Sequence, residues 1–296
     1  MNPNKELLMI KAKKDGNRSE QVSIGIIGCG WLGKALVTAL VQEQYQVVAT
    51  TQHRENLSII NELGAQAELF SLPMNNTNSP IFSCNTLIVC IPPGFRQGKK
   101  DYPDNIAAII KQAESCHVEK VILISSTAVY EGLSGDIAES AKLNNNIEKV
   151  KLLTQAEQHV LDFANQGVVI RAAGLVGPDR HPGIFFKNNK VLTSPNATVN
   201  LVHQADMVGQ ILLMIKSDTI NGVFNAVSKT HVTKKYYYTA AAKAFATDSP
   251  CFDTQTQEEV LGRKVLSDKL RAALGYQYQY DDLVAWLINA KQDKKN

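Results

Sequence analysis

Glycines at 28, 30 and 33, in the run Gly28-Cys29-Gly30-Trp31-Leu32-Gly33, have a spacing that can hold a phosphate ester. The first glycine permits a tight turn, the second lets a pyrophosphate approach the backbone, and the third lets the next helix pack close to the preceding strand. The first N–H groups of that helix have no partner within it, so they and the helix dipole attract an anion. This chemistry needs a buried strand before the turn and a helix after it. Both are legible: Val22-Ser23-Ile24-Gly25-Ile26-Ile27 is mostly apolar, and Lys34-Ala35-Leu36-Val37-Thr38-Ala39-Leu40 reads as helix. The segment is expected to hold a dinucleotide at Gly28, Gly30, Trp31, Leu32 and Gly33; a plain βα turn is the alternative.

The end of the second strand decides which dinucleotide. An NAD site places Asp or Glu there, about 20 residues past the glycines, to hold the ribose hydroxyls. Here the chain reads Val47-Val48-Ala49-Thr50-Thr51-Gln52-His53-Arg54, without a carboxylate. Thr51 offers a short hydroxyl, and Arg54 can fork onto a 2′-phosphate with a charge-assisted bond of about 1.5–3 kcal/mol, a tenfold to hundredfold preference. NADP is the expected cofactor, with NAD the second choice; a solvent-facing Arg54 in the first turn of the next helix is the other reading. Further on, Ile91-Pro92-Pro93-Gly94 makes a stiff turn where the cofactor would pass. Ser125, Ser126 and Thr127 end the fifth strand with three hydroxyls before Ala128-Val129-Tyr130, well placed for a ligand at the sheet's carboxyl edge, although such hydroxyls also bond backbone at loop starts.

Strand-like runs at 22–28, 46–51, 66–70, 85–91, 119–125 and 167–172 alternate with helical patterns. Ile106, Ile109, Ile110 and Ala113 share one helical face, and another helix is expected over 147–164, after Asn144-Asn145-Asn146. Strands this apolar imply a doubly wound, parallel α/β sheet of Rossmann type, covered on both faces and joined by right-handed crossovers. The expected organisation is a polar extension over 1–20, a dinucleotide-binding domain over 21–172, and a smaller α/β lobe over 173–296, partly interleaved with it, that holds the substrate.

A chain of 296 residues, 44% hydrophobic and 20% charged, can bury a large core. Its net charge is only +3, and lysines 11, 13, 14, 291, 294 and 295 cluster near the two ends, so neither nucleic acid nor membrane is an expected partner. No run approaches the roughly 20 apolar residues of a membrane span, and the first twenty residues lack a signal-like apolar stretch. A cytoplasmic monomer or homodimer acting on a small molecule is expected. Five cysteines without CxxC spacing argue against a disulfide framework and a metal site. Cys29, beside a helix start that could lower its pKa, is either reactive or a small turn residue.

Several stretches together resemble the extended short-chain dehydrogenase/reductases of the NAD-dependent epimerase/dehydratase superfamily. Residues 122–130 look like their "SSxxVY" strand, 171–178 like "RxxxxYGP", Asn200, His203 and Asp206 like "NxxHxxD", and 222–227 like "GxxNV". With GxGxxG in place of TGxxGxxG, and with Glu139, Ala156-Glu157 and Gly262-Arg263-Lys264-Val265 in place, the chain is most similar to an atypical YeeZ-like subgroup. The resemblance implies an NAD(P)-binding oxidoreductase or epimerase-like activity.

One departure bears on the chemistry. Family enzymes carry Tyr and, four residues later, Lys on one helix, both facing the nicotinamide. The corresponding helix here, from Ile147 to Glu157, has no tyrosine, and none of the nine tyrosines has a lysine four positions on. The expected substitutes are Ser126 and Thr127 as partners of the substrate's reacting oxygen, with Tyr130 as proton donor. Lys151 and Glu157 are weaker candidates. Ser125 and Arg171 are expected beside the cofactor, Arg171 otherwise serving the structure, and Arg180 is an anion contact. His181 and His203 are expected near the substrate cleft, His203 stabilising the lobe with Asp206. A second reading is a non-catalytic NADP-binding redox sensor.

Overall fold

Runs of branched apolar residues without polar alternation belong in a sheet covered on both faces. A computed structural model of the chain describes residues 22–74, 77–184, 191–253 and 262–289. In the first half these runs become β1 (Ser23–Ile27), β2 (Gln46–Thr51), β3 (Gln66–Leu69), β4 (Thr86–Val89), β5 (Lys120–Ser126) and, after the short β6 (Gly135–Ile137), β7 (Gln166–Ala172). Between them lie α1 (Trp31–Gln42), α2 (Asn56–Glu62), α3 (Tyr102–Ser115) and α4 (Glu148–Leu161). The strand ends differ from the sequence reading by a residue or two. The tail lysines and the 1–20 extension lie outside the described residues.

The second half supplies β8 (Gly174–Val176), β9 (Val191–Leu192), β10 (Leu201–His203), α5 (Gln204–Lys216), β11 (Gly222–Ala226), α6 (Lys234–Phe245), β12 (Cys251–Phe252), β13 (Arg263–Val265), α7 (Asp268–Leu274) and α8 (Leu283–Asn289). One of these strands joins the main sheet, which therefore has seven members rather than the six the apolar runs suggested. Its order is β11-β7-β5-β4-β1-β2-β3, and every neighbouring pair is parallel. Strand order reverses between β1 and β4, so their carboxyl ends open a crevice at the switch point. This is the Rossmann-type fold expected from the sequence. A smaller core around Val176, Leu201, Tyr237, Leu283 and Leu287 joins β8, β10, α6 and α8, whereas α5, β13 and α7 pack into the main core.

The polar motif residues of that half bind segments to one another. Asn200 donates to the Arg263 carbonyl at 2.7 Å and accepts from the Val265 N–H at 2.8 Å. The buried Asp206 accepts from the Tyr276 hydroxyl and from the Gln279 and Tyr280 N–H groups. His203 caps α5 by accepting from the Ala205 N–H, and its ring lies 3.8 Å from that of Tyr280. Burial lowers its pKa to about 4, so it is neutral at pH 7.

A buried lysine docks α5 on the sheet. Lys120, 5% exposed at the start of β5, donates through Nζ to the carbonyls of Met214, Ile215 and Ser217. They lie at the negative end of the α5 dipole; the Met214 carbonyl also accepts from the Ser217 N–H and the Ser217 carbonyl from Gln166 Nε2, whereas Lys120 is the donor that reaches the Ile215 carbonyl. Replacing Lys120 with Met should leave the Ile215 carbonyl without its side-chain donor, remove a charge-assisted bond from the other two, and lower stability by about 1–3 kcal/mol. An unchanged urea unfolding midpoint would count against this role.

Candidate functional site

The site is built outward from the glycine turn. Gly28 has φ +97°, a conformation that side chains rarely adopt. Its N–H donates to Thr50 Oγ1 at 3.1 Å, and the Cys29 N–H donates to the Thr50 carbonyl at 2.7 Å, which pins the turn to β2. A Cβ on Gly33 would come within 2.8 Å of the Gly28 carbonyl, so close packing of α1 on β1 requires glycine there. Gly30 differs, because a Cβ there would meet nothing within 4 Å. The protein's own packing does not demand glycine at 30; open space lies in front of the α1 amino-terminus, as a pyrophosphate needs. Burial pushes the Cys29 thiol up to about 11, so it remains a thiol at neutral pH and the reactive reading fails.

Two clefts meet at this turn. One, of about 410 Å³, runs past the end of β2 between Thr51, Gln52, His53 and Asn56 on one side and Pro93, Gln97 and Asn105 on the other. The second, of about 330 Å³, runs toward the end of β5 between Trp31, Leu32 and Arg180 and Ser125, Ser126 and Leu153. They share Gly28, Gly30, Cys90, Ile91, Pro92, Pro93 and Tyr102 as a common waist. Adjoining at this waist, they form a groove along the carboxyl edge of the sheet on either side of the glycine turn. A loop closes over the α1 start: Trp31 Nε1 donates to the Pro178 carbonyl at 2.9 Å, and the Arg180 guanidinium lies 5.2 Å from the Trp31 ring centre. Arg180 thus brings a positive charge to the wall where a pyrophosphate would sit.

Beneath the β5 end of the groove, strand register collects polar groups. Ser125 lies opposite Arg171, and Arg171 opposite Asn225, so parallel pairing sets them in one row. Glu157 of α4 answers the charge: its carboxylate is 2.7 Å from Arg171 Nη2 and accepts from Ser125 Oγ at 2.6 Å. Arg171 Nη1 donates to the Tyr130 hydroxyl at 2.9 Å, which donates to Asn225 Oδ1 at 2.7 Å. Arg171 and Glu157 are 5% and 2% exposed.

Of the residues expected at the cofactor, Gly28, Gly30, Trp31, Leu32, Gly33, Thr51, Ile91, Pro92, Pro93 and Ser125 line the groove, as does Ser126. Thr51 spends its hydroxyl on the His53 N–H. Arg54 is exposed in the turn that opens α2 and is not part of the wall, where His53 and Asn56 stand instead. Arg171 belongs to the buried row and does not line the groove. Tyr130 requires a larger correction. It is 0% exposed, its hydroxyl accepts from Arg171 and donates to Asn225, and it does not line the groove, so the structure does not place it as a proton donor to a ligand. Thr127 is buried and outside the wall, and Lys151 is exposed on a different face of α4 from Leu153. His181 packs between Phe245 and Trp286, away from the groove. Sequence reasoning missed His53, Asn56, Leu153 and Tyr102 as wall residues. Leu153 had a signal, since it lies on the helix that should carry the Tyr and Lys.

The fold is shared with solved structures of epimerases and related proteins. MoeE5, solved with UDP-glucose and NAD, superposes with a TM-score of 0.75 at 16% identity, covering 93% of this chain and 100% of that one. Human epimerase family protein SDR39U1, solved with NADPH, gives 0.70 at 15% identity, covering 92% and 100%. No family model matches the chain. The chain is homologous to a curated relative, Protein YeeZ of Escherichia coli (strain K12), at 25% identity over 269 residues, 88% of this chain and 96% of that one.

The empty position at Gly30 generates a test. Gly30→Val should fold, because no protein atom stands in the way, and should lose dinucleotide binding, because the isopropyl group occupies the pyrophosphate's space. Circular dichroism and a titration with NADPH or NADH check both halves; undiminished affinity would remove the pyrophosphate from this turn.

Proposed function

We propose that the chain binds a nicotinamide dinucleotide, NADP in preference to NAD, along this groove and acts as an oxidoreductase or epimerase-like enzyme on a small polar substrate. The observation that carries the reading is the open space in front of Gly30 at the waist shared by the two adjoining clefts. The α1 N–H groups, with Arg180, hold the pyrophosphate; Thr51 and His53 line the adenosine-ribose end, and Arg54, exposed just outside the wall, turns its side chain inward to meet a 2′-phosphate. When bound, the nicotinamide supplies hydride transfer. Ser126 hydrogen-bonds the substrate's reacting oxygen at the β5 end, while Ser125 is held by Glu157. The lobe beyond residue 172 contributes the substrate's side of the cleft.

One observation favours a second reading, the non-catalytic NADP-binding redox sensor. The α4 residue in the groove wall is Leu153, and Tyr130 is sealed away, so neither provides the proton transfer that hydride chemistry on a carbonyl needs.

NADPH should bind about tenfold to a hundredfold more tightly than NADH, and Arg54→Asp should reduce or reverse the preference. Equal affinities in the native protein would sink the NADP assignment. Labelled NADPH presented with carbonyl compounds and sugar nucleotides separates the two functions. For the enzyme, hydride transfer is expected, slowed about a hundredfold by Ser126→Ala with little change in NADPH affinity. Tight binding with no transfer across the panel selects the sensor.

A further inference from the structure

A tyrosine outside the family motifs stands at the waist of the groove. Tyr102, in the first turn of α3, is 3% exposed, and its hydroxyl has no hydrogen-bond partner. It lines both clefts, and among the described residues it is the one unpartnered buried side chain that belongs to the groove wall. A buried hydroxyl left unpaired costs free energy, so it persists where a ligand completes it or where packing compensates. Phe95 packs edge-on to its ring, with centroids 6.4 Å apart, which fixes the ring's orientation. Burial raises the pKa of the phenol, and the nearby charge of Glu157 adds to the effect, so the hydroxyl keeps its proton and can donate. α3, which bears Tyr102, packs against α4, whose Leu153 lines the β5 end of the groove and whose Glu157 holds Ser125 there. We propose that the Tyr102 hydroxyl donates a hydrogen bond to a ligand oxygen on the β5 side of the waist, the nicotinamide-ribose side of a bound dinucleotide. The inference rests on the dinucleotide reading above and assigns a positioning contact within it.

Tyr102→Phe removes only the oxygen. If the hydroxyl waits for a ligand, the unliganded variant should unfold at the same temperature as the native protein or higher, since an unsatisfied group has gone. Its affinity for NADPH should fall about three- to tenfold, and the rise in unfolding temperature that NADPH produces should shrink. Affinity for the adenosine half alone, 2′-phospho-ADP, should stay the same; NADH and ADP are run in parallel. Native-like NADPH affinity in Tyr102→Phe overturns the proposal, as does an equal loss for the fragment or a marked drop in the unliganded unfolding temperature. If the native protein binds neither dinucleotide, the parent reading fails and takes this contact with it.

Discussion

A single buried cation sets the geometry on which the site's floor depends. Arg171 cannot remain charged inside the sheet edge unless every donor finds an acceptor, and breaking such a pair from one side typically costs about 3–5 kcal/mol. Its partners come from elements far apart in sequence: Glu157 from α4 and the Tyr130 hydroxyl from the turn after β5. Asn225 on β11 completes the row by accepting from Tyr130 while its side-chain amide donates to the Leu266 carbonyl. One guanidinium thereby locks a helix, three strands and a carboxy-terminal loop at one level. Ser125 is the member of this network that also reaches the groove, so its orientation is fixed from below.

The upper wall follows different physics. It is made of backbone and small residues, held by hydrogen bonds from Gly28 and Cys29 to Thr50 and by the close contact of Gly33 with the Gly28 carbonyl. Shape and unpaired N–H groups dominate there, whereas charge compensation dominates the floor. A phosphate-bearing ligand suits the first, and a neutral polar group beside Ser125 and Ser126 suits the second. The two halves of the groove thus select for different ends of one extended molecule.

Much of this was legible in the sequence because it rests on local patterns. Branched apolar runs specified the strands, and glycine spacing specified the turn, since both signals arise from neighbours along the chain. What depends on register was less visible. Arg171 and Tyr130 read as ligand-facing because they end strands at the right edge; only pairing shows that they face each other under the sheet's rim. Lys120 carried no signal at all, as its three carbonyl partners lie more than ninety residues away. Tyr102 precedes the helical face of Ile106, Ile109, Ile110 and Ala113 and had no signal of its own, and its place at the waist follows from how α3 packs against α4.

Leu153 shows how unequally the two capacities of such a fold are encoded. Binding a dinucleotide draws on the turn after β1, the ends of β2, β4 and β5 and the loop bearing Arg180, so no single substitution creates it. Proton transfer in the family that the chain resembles is a trait of one helix face, two side chains a single turn apart. Here that face meets the groove through Leu153, a buried aliphatic side chain one helical turn before Glu157. Lineages sharing this architecture can therefore part company in chemistry while keeping the same ligand, through changes too few for overall resemblance to register.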